Sequence, residues 1–321
     1  MTVAFLFAGQ GSQTVGMGLD LYQNFPAARA VFQEVDEMLH QNLSRLMFQG
    51  DLAELTQTQN AQPAIMAVGM AVVRVLGAEL GQPLVHLAHY MAGHSLGEYT
   101  ALCAAGALSL SETAELLKKR GLAMARVGEL SPGGMMAVLG LDESAVADIV
   151  REASDTNEAV FIANDNCPGQ IIISGHPNAL KRAQALAMER GAKRVVPLAV
   201  AGAFHSPLMQ PAQADMQSVI ETADIQAPSV PVIANVTAAP TTNPEEIRRQ
   251  LLDQITGTVR WRESVDFMIG QGVDTFIECA NGKVIAGLVR RMAPTATILS
   301  AGDSESVAEV LKHLSSVSIR H

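Results

Sequence analysis

The feature that most constrains this chain is the pentapeptide Gly93-His94-Ser95-Leu96-Gly97, which lies between an apolar run at residues 85–92 and the segment at 98–105. We predict a strand for the first segment and the start of a helix for the second, so Ser95 lies on a sharp strand-to-helix turn. The two glycines permit the backbone angles and the close approach that such a turn requires. A serine held there exposes its hydroxyl at the positive end of the helix dipole. Ser95 is therefore a candidate nucleophile, and the alternative is a structural Gly-Ser-Gly turn.

A nucleophilic serine needs a base, and the sequence contains eight histidines. Most of them lie beside the serine, within the apolar run, in ordinary helix or turn sequence, or near the C-terminus. His205 remains, because it follows the apolar run at residues 195–201 and precedes Ser206-Pro207. The end of a strand, followed by a turn, is where an α/β sheet presents catalytic side chains. We predict His205 as the base; the alternative is a loop histidine with satisfied hydrogen bonds.

The order of predicted elements indicates two domains. Strands alternate with helices along most of the chain, which is typical of an α/β fold with a parallel sheet. Residues 129–198 instead follow a β-α-β-β-α-β order, which is typical of the ferredoxin-like arrangement; its elements are predicted at 135–139, 143–153, 160–164, 171–175, 178–190 and 194–198. We predict a large α/β-hydrolase-like domain (1–128 and 199–321) with this small ferredoxin-like domain inserted.

Composition excludes several classes of function. A net charge of −10 opposes general nucleic-acid binding, which requires basic surfaces. We expect no membrane span, because no segment reaches about 18 uninterrupted apolar residues. The first residues lack the layout of a signal peptide, and three scattered cysteines suit neither a disulfide framework nor a zinc site. A cytoplasmic enzyme without a metal is therefore expected.

Six short motifs together resemble one family. They are Gly9-Gln10-Gly11-Ser12-Gln13, Gly93-His94-Ser95-Leu96-Gly97-Glu98-Tyr99, Lys119-Arg120-Gly121, Asn164-Asp165-Asn166-Cys167-Pro168-Gly169-Gln170, Phe204-His205-Ser206-Pro207-Leu208-Met209 and Val259-Arg260-Trp261. In this order and spacing, the chain resembles the malonyl-CoA:acyl carrier protein transacylases, which load malonyl units for fatty acid synthesis. It departs from the family pattern at Ala8, where a proline is frequent, and at Ala280-Asn281-Gly282-Lys283, where Gly-Pro-Gly-Lys is usual.

The resemblance implies a ping-pong acyl transfer through a malonyl ester of Ser95, with His205 as the base. It assigns the oxyanion hole to the backbone N–H groups of Gln10 and Leu96, and elbow geometry independently places one donor at Leu96. It also implies that a backbone carbonyl near Gln254, rather than a carboxylate, orients the histidine.

The resemblance further implies how the substrate is selected. Periodicity alone makes Arg120 an exposed basic residue of a helix at 112–126, whereas the matching arginine of the family binds the malonyl carboxylate. Phe204 corresponds to a position where related polyketide acyltransferases have Phe with malonyl and Ser with methylmalonyl; the alternative is a core aromatic residue. The expected partners are malonyl-CoA and a phosphopantetheinylated, acidic acyl carrier protein, which we place near Arg290-Arg291. No bound cofactor and a monomeric state are expected.

Alternative functions account for parts of this sequence. A dinucleotide site is disfavoured, because the third glycine of G-x-G-x-x-G would be Thr14. A serine hydrolase or thioesterase of the α/β-hydrolase type remains open, since several acidic residues lie between Ser95 and His205. A noncatalytic binding module does not explain this serine and histidine. Malonyl transfer in polyketide synthesis or malonate decarboxylation would use the same chemistry.

Overall fold

The structure is a computed structural model that describes residues 1–200 and 202–318. The strands are, in chain order, β1 (Val3–Phe7), β2 (Ala88–Gly93), β3 (Gly134–Leu139), β4 (Val160–Cys167), β5 (Gln170–Gly175), β6 (Arg194–Pro197), β7 (Val232–Ala234), β8 (Ala239–Thr241), β9 (Thr275–Cys279) and β10 (Thr297–Ala301). The helices are α1 (Leu19–Asn24), α2 (Pro26–Leu39), α3 (Leu43–Gln49), α4 (Leu52–Thr56), α5 (Thr58–Leu80), α6 (Leu96–Ala104), α7 (Leu110–Leu130), α8 (Glu143–Ala153), α9 (Pro177–Glu189), α10 (Gln210–Thr222), α11 (Pro244–Thr256), α12 (Trp261–Gly270), α13 (Val284–Met292) and α14 (Ser304–Ser318).

The larger sheet has the order β10-β9-β1-β2-β7-β8 and is parallel except for β8 at one edge. Helices cover it, and every residue of the central strand β1 is buried. Strands β1 and β2 are neighbours in register, with Phe7 opposite Gly93. The loops that follow these two strands therefore emerge side by side, which brings the segment around Gln10 next to the turn that carries Ser95.

The smaller sheet is antiparallel, with the order β4-β5-β3-β6. Its alternating side chains divide between two faces, as expected for strands. One face, with Val138 and Ile173, packs on α8 and α9 in a core of its own. The other face, with Met135 and Ile172, joins the large core. All six elements predicted in this part of the chain occur in the predicted order, and the predicted helix 143–153 is observed as α8.

Helix α5 is the longest apolar segment. By length and composition alone it could cross a membrane, and 67% of its most apolar window is buried inside the protein. It packs against α2, α6 and α7 and against β9. A helix that is apolar on all sides is buried in a core or in a membrane, and here protein surrounds it. The sequence-based expectation of no membrane span rested on uninterrupted apolar runs, and Arg74 ends the run at residues 64–73 of this helix.

Two predicted boundaries near the site were wrong. Residues 85–92 do not form one strand, because a short 3₁₀ turn at Leu84–His86 precedes β2. The helix after the serine begins at Leu96 rather than at residue 98, so Ser95 is its N-cap. The serine is therefore even closer to the helix terminus than the sequence indicated.

Candidate active site

The turn between β2 and α6 holds Ser95 in a strained conformation. Its backbone angles are φ 54° and ψ −112°, which few residues other than glycine adopt. A Cβ on Gly93 would lie 1.8 Å from the carbonyl oxygen of Gly97, and a Cβ on Gly97 would lie 2.5 Å from that of Phe7. Both glycines are thus required by close backbone approach, as the pentapeptide predicted.

His205 lies against this serine. Its Nε2 is 2.7 Å from Ser95 Oγ, and its Nδ1 is 2.9 Å from the carbonyl oxygen of Gln254. Because a carbonyl can only accept, Nδ1 carries the proton and the lone pair of Nε2 faces the serine hydroxyl. Burial, with a smaller contribution from the Arg120 guanidinium, lowers the pKa of His205 to about 3. The imidazole is therefore neutral at neutral pH, as a base must be.

The loop that carries His205 differs from the prediction. Strand β6 belongs to the small sheet and ends at Pro197, and Ala201, the last residue of the predicted apolar run, lies outside the described residues. His205 therefore follows an irregular segment rather than a strand end, and its φ of 55° is in the left-handed region. A second strained residue thus faces Ser95.

The group that orients the histidine is part of the main chain. Gln254 lies in the last turn of α11, where carbonyl groups have no partner within their own helix. Its carbonyl accepts from His205, and within the described chain no carboxylate contacts this imidazole. The Ser-acid-His arrangement of the α/β-hydrolase alternative is accordingly not what this site contains.

Gln10 and Leu96 both line the cavity at Ser95. The amide of Ser95 itself donates to Asn235 Oδ1 at 2.8 Å. Among the described residues, no acceptor contacts the N–H of Gln10 or that of Leu96. Two unengaged donors therefore lie on residues that line the cavity, as an oxyanion hole needs, and their catalytic role stays a prediction.

Arg120 is buried, with an exposed fraction of 1%, so the periodicity-based prediction of an exposed residue was wrong. The cause is Gly121, where a Cβ would lie 2.6 Å from the Cα of Gln59, so that α7 packs directly on α5. The guanidinium donates from Nη1 to Gln62 Oε1 at 2.8 Å, and from Nη2 to Gln254 Oε1 at 2.8 Å and to Ser95 Oγ at 3.2 Å. Burial lowers the pKa of Arg120, but an arginine stays charged in proteins.

These groups open into a cavity of about 360 Å³. Its polar floor comes from the helices and loops of the larger sheet. Its wall comes from the open face of the small sheet and the segment that follows it, with Met135, Asn164, Asn166, Ile172, Leu198, Val200 and Phe204. Phe204 is 5% exposed and belongs to the core, and it also lines the cavity. A role in packing and a role in substrate selection are therefore compatible.

Besides Gln62, which holds Arg120, sequence reasoning missed two further buried residues of the site. Glu98 on α6 accepts from Gln254 Nε2 at 2.7 Å, and Asn235 after β7 binds both Ser95 and Glu98. Glu98 did carry a signal, since it is the charged residue in the otherwise apolar or neutral sequence of α6. Asn235 carried none, because nothing near it in sequence indicates a contact with the nucleophile turn.

Known proteins match almost the whole length of this chain. Residues 4–315 match the acyl transferase domain family. The chain is 42% identical over 312 residues to a malonyl CoA-acyl carrier protein transacylase of Bacillus subtilis (strain 168), covering 97% of both chains. It superposes on an acyl-carrier-protein-S-malonyltransferase of Bartonella henselae with a TM-score of 0.94 at 46% identity, covering 98% of this chain and 100% of that one. A malonyl-transacylase solved with its type II polyketide synthase acyl-carrier protein gives a TM-score of 0.92 at 35% identity, covering 98% and 100%.

Proposed function

The chain belongs to the acyl transferase domain family, and on this premise we propose that it transfers the malonyl group from malonyl-CoA to the phosphopantetheine thiol of an acyl carrier protein in fatty acid biosynthesis. The observation that carries this proposal is the buried Arg120 guanidinium, 3.2 Å from Ser95 Oγ in the same cavity. A fixed cation at that distance suits an acyl group that carries its own carboxylate. A full-length relative at 42% identity bears the corresponding name.

The first half-reaction acylates the enzyme. His205 Nε2 takes the hydroxyl proton of Ser95, and Oγ attacks the thioester carbonyl of malonyl-CoA. The negative charge that develops on the carbonyl oxygen is stabilised by the N–H groups of Gln10 and Leu96. When the carbon–sulfur bond breaks, the CoA thiolate leaves and takes the proton from the imidazolium.

The second half-reaction uses the same groups in reverse. The carrier protein's thiol gives its proton to His205 and attacks the malonyl ester. The bond between the acyl carbon and Oγ breaks, and Ser95 recovers its proton from the imidazolium. Catalysis therefore ends with the same protonation state as it began, which permits a ping-pong cycle.

Arg120 selects the acyl group. The malonyl carboxylate is one methylene away from the carbonyl that Ser95 attacks, so it must bind close to the serine. A planar guanidinium can donate two parallel hydrogen bonds to a carboxylate, which lysine cannot reproduce. The same guanidinium donates to Gln62 and Gln254, and these two hydrogen bonds set its orientation.

The ester must survive water until the carrier protein arrives. His205 is oriented by a neutral carbonyl, which stabilises an imidazolium less than a carboxylate does. We propose that this choice moderates the base, so that a water molecule is activated poorly and transfer prevails over hydrolysis.

The decisive experiment compares transfer with hydrolysis. Purified protein is given malonyl-CoA with and without phosphopantetheinylated carrier protein, and free malonate and malonyl carrier protein are both measured. We expect a stable malonyl enzyme without the carrier protein and rapid transfer with it. Fast hydrolysis of malonyl-CoA in the absence of the carrier protein would contradict a transferase and favour the hydrolase alternative.

The pathway and the finer architecture also belong to this proposal. We propose fatty acid synthesis as the pathway, because the full-length Bacillus subtilis relative is named a malonyl CoA-acyl carrier protein transacylase. Polyketide synthesis is the alternative, since a type II polyketide malonyl-transacylase is similar over 98% of this chain. We further propose a discontinuous hydrolase-like domain (1–128 and 199–321, whose last three residues lie outside the described chain), a ferredoxin-like insertion at 129–198, and a cytoplasmic monomer without a bound cofactor.

A further inference from the structure

Glu98 is a carboxyl group buried inside the site that the mechanism above does not use. It lies three residues after the nucleophile on α6 and is 2% exposed. Its Oε2 accepts two hydrogen bonds, from Gln254 Nε2 at 2.7 Å and from the backbone N–H of Asn235 at 3.2 Å. A buried carboxyl is costly unless its bonds serve a purpose, so these two contacts need an explanation.

The first contact fixes the orientation of the Gln254 amide. A carboxylate can only accept, so the amide must turn its NH₂ group toward Glu98, where it also donates to the carbonyl oxygen of Ser95 at 2.9 Å. The amide oxygen is then left for Arg120 Nη2, at 2.8 Å. The reverse orientation would set the NH₂ group against the guanidinium, donor against donor.

The second contact reaches the nucleophile from the other side. Asn235 donates its backbone N–H to Glu98, while its side chain accepts from the N–H of Ser95 at 2.8 Å and donates to the carbonyl of Gly93 at 2.8 Å. The Glu98 carboxyl thus binds both Asn235, which supports the strained turn, and Gln254, which contacts His205 and Arg120.

We infer that Glu98 is a positioning residue for acyl transfer, whose ionised carboxyl orients Gln254 and Asn235 and through them His205, Arg120 and the Ser95 turn. This inference rests on the proposed function of the site. The residue touches neither substrate nor nucleophile side chain; it acts through the two amides.

The surroundings of the carboxyl make this role dependent on pH. Burial raises the pKa of Glu98 to about 7, against the opposing effects of Gln254, Asn235 and the Arg120 guanidinium. The charged and titratable groups that face it are Arg120 on α7 and Tyr99 on its own helix, whereas α11 and the segment after β7 present neutral amides, and β1 beneath the helix is apolar. Protonation removes the negative charge that strengthens both hydrogen bonds and so weakens the hold on the two amides, and activity therefore falls as the pH falls below about 7.

His205 does not explain such a decrease, because its pKa is lowered to about 3 and the imidazole stays neutral over the same range. The experiment measures kcat/KM for malonyl-CoA between about pH 5 and pH 9 with saturating carrier protein. In the unmodified enzyme we expect kcat/KM to fall about tenfold as the pH passes below about 7 and then to level off at a lower acidic plateau, because the neutral carboxyl still accepts both bonds but more weakly.

Two substitutions separate positioning from packing. Glu98→Gln has the shape of the protonated carboxyl and carries no charge at any pH, so its rate should match the acidic plateau of the unmodified enzyme, about tenfold below the neutral plateau, and the acidic decrease disappears. Glu98→Leu keeps the volume but leaves both donors unsatisfied, and about a hundredfold is lost at all pH values. Glu278→Gln is the matched control: Glu278 is buried in β9 and accepts from the backbone of α13, away from the cavity, so the acidic decrease should persist.

An acidic decrease that is unchanged in Glu98→Gln overturns the inference, as does a Glu98→Leu enzyme that is as active as the Gln variant. Thermal unfolding shows whether the Leu variant folds; if it does not, the pH profile of the Gln variant decides alone. If the unmodified protein transfers no malonyl group, the proposed function fails, whereas normal transfer with an unaltered Gln profile refutes only the role of Glu98.

Discussion

The two regions of the molecule meet at one cavity but build their shares of it differently. The larger sheet and its helices contribute Ser95, Arg120 and Gln254, each held by hydrogen bonds to other buried groups. The small sheet and the segment after it contribute a wall that is mainly apolar, including Met135 and Ile172. The larger sheet supplies hydrogen-bonding groups with fixed directions, whereas the small sheet supplies an apolar surface that lines the cavity.

This difference indicates where the site tolerates change. Polar groups that act on reacting atoms must keep their distances to within a fraction of an ångström, so each supporting bond matters. An apolar wall acts by contact and can be altered one methyl group at a time at modest cost. The following substitutions test this contrast, beginning with the largest expected effect.

Replacing Ser95 by Ala should abolish acylation. Loss of the nucleophile in a serine enzyme typically lowers kcat by about 10⁶-fold, while the fold is retained. Mass spectrometry after incubation with malonyl-CoA should detect no malonyl adduct. An adduct on the Ala variant would mean that the covalent intermediate forms on another residue.

Two glycine-to-alanine substitutions, one in each region, compare how much stability is lost when a Cβ is added to the backbone. Gly93→Ala would place a Cβ 1.8 Å from the carbonyl oxygen of Gly97, so we expect a loss of at least about 4 kcal/mol in the free energy of unfolding. Gly191→Ala, between α9 and β6, meets no atom within 4 Å and bears only the strain of its φ of +89°, about 1–2 kcal/mol. Urea unfolding measures the free energy of unfolding of both variants. Equal losses would mean that the backbone near the nucleophile is no less tolerant of a side chain than the backbone of the small sheet.

Replacing Arg120 by Ala should lower kcat/KM for malonyl transfer by about a hundredfold, because charge-assisted hydrogen bonds to the substrate carboxylate are lost. Transfer of an acetyl group, which has no charge to pair, should be kept or increased. Lys119→Ala is the matched control, since Lys119 is half-exposed and pairs with Glu115 at 2.7 Å. Equal impairment with both acyl groups would refute the assignment of Arg120.

Replacing Phe204 by Ser tests the apolar wall. The smaller side chain makes room for an α-methyl group beside His205, and one methyl group is worth about 1–3 kcal/mol of discrimination. The malonyl-over-methylmalonyl ratio in kcat/KM should therefore narrow by about tenfold or more. An unchanged ratio, with malonyl turnover intact, would make Phe204 a packing residue only.

Reversing the charges of Arg290 and Arg291 should give the smallest effect. Both are exposed at the end of α13, and Arg291 contacts Pro168 and Gln170 at the edge of the small sheet. Charges at the rim of an interface mainly affect encounter, so KM for the carrier protein should rise several-fold and KM for malonyl-CoA should not change. An unchanged KM for the carrier protein would place its docking surface elsewhere.

The sequence predicted those parts of the site that have a local signature. The strand-to-helix turn and the β-α-β-β-α-β order each follow from patterns within a few tens of residues. The positions of Ser95, His205 and Gln254 agree with the arrangement that the family resemblance implied, and their catalytic roles stay predictions for the experiments above. The ends of the elements were predicted less accurately, since the segment predicted as a strand at 85–92 begins with a 3₁₀ turn.

The parts that could not be predicted depend on contacts between distant segments. Arg120 lies on a helix whose periodicity favours exposure, and only the approach of α5 at Gly121 buries it. Glu98 and Asn235 are 137 residues apart, and Glu98 and Gln254 are 156 apart. No local pattern encodes such pairs, because they arise when the larger sheet brings the ends of several segments together.

The acceptor that orients His205 has a consequence for mutagenesis and for evolution. Since it is the carbonyl of residue 254 at the end of a helix, every amino acid encoded at that position supplies it. No single codon change can delete it, and an alanine scan reports only on the amide side chain. Turning this site into an efficient hydrolase would require a carboxylate delivered from a different segment, which means that the whole end of α11 must first move aside.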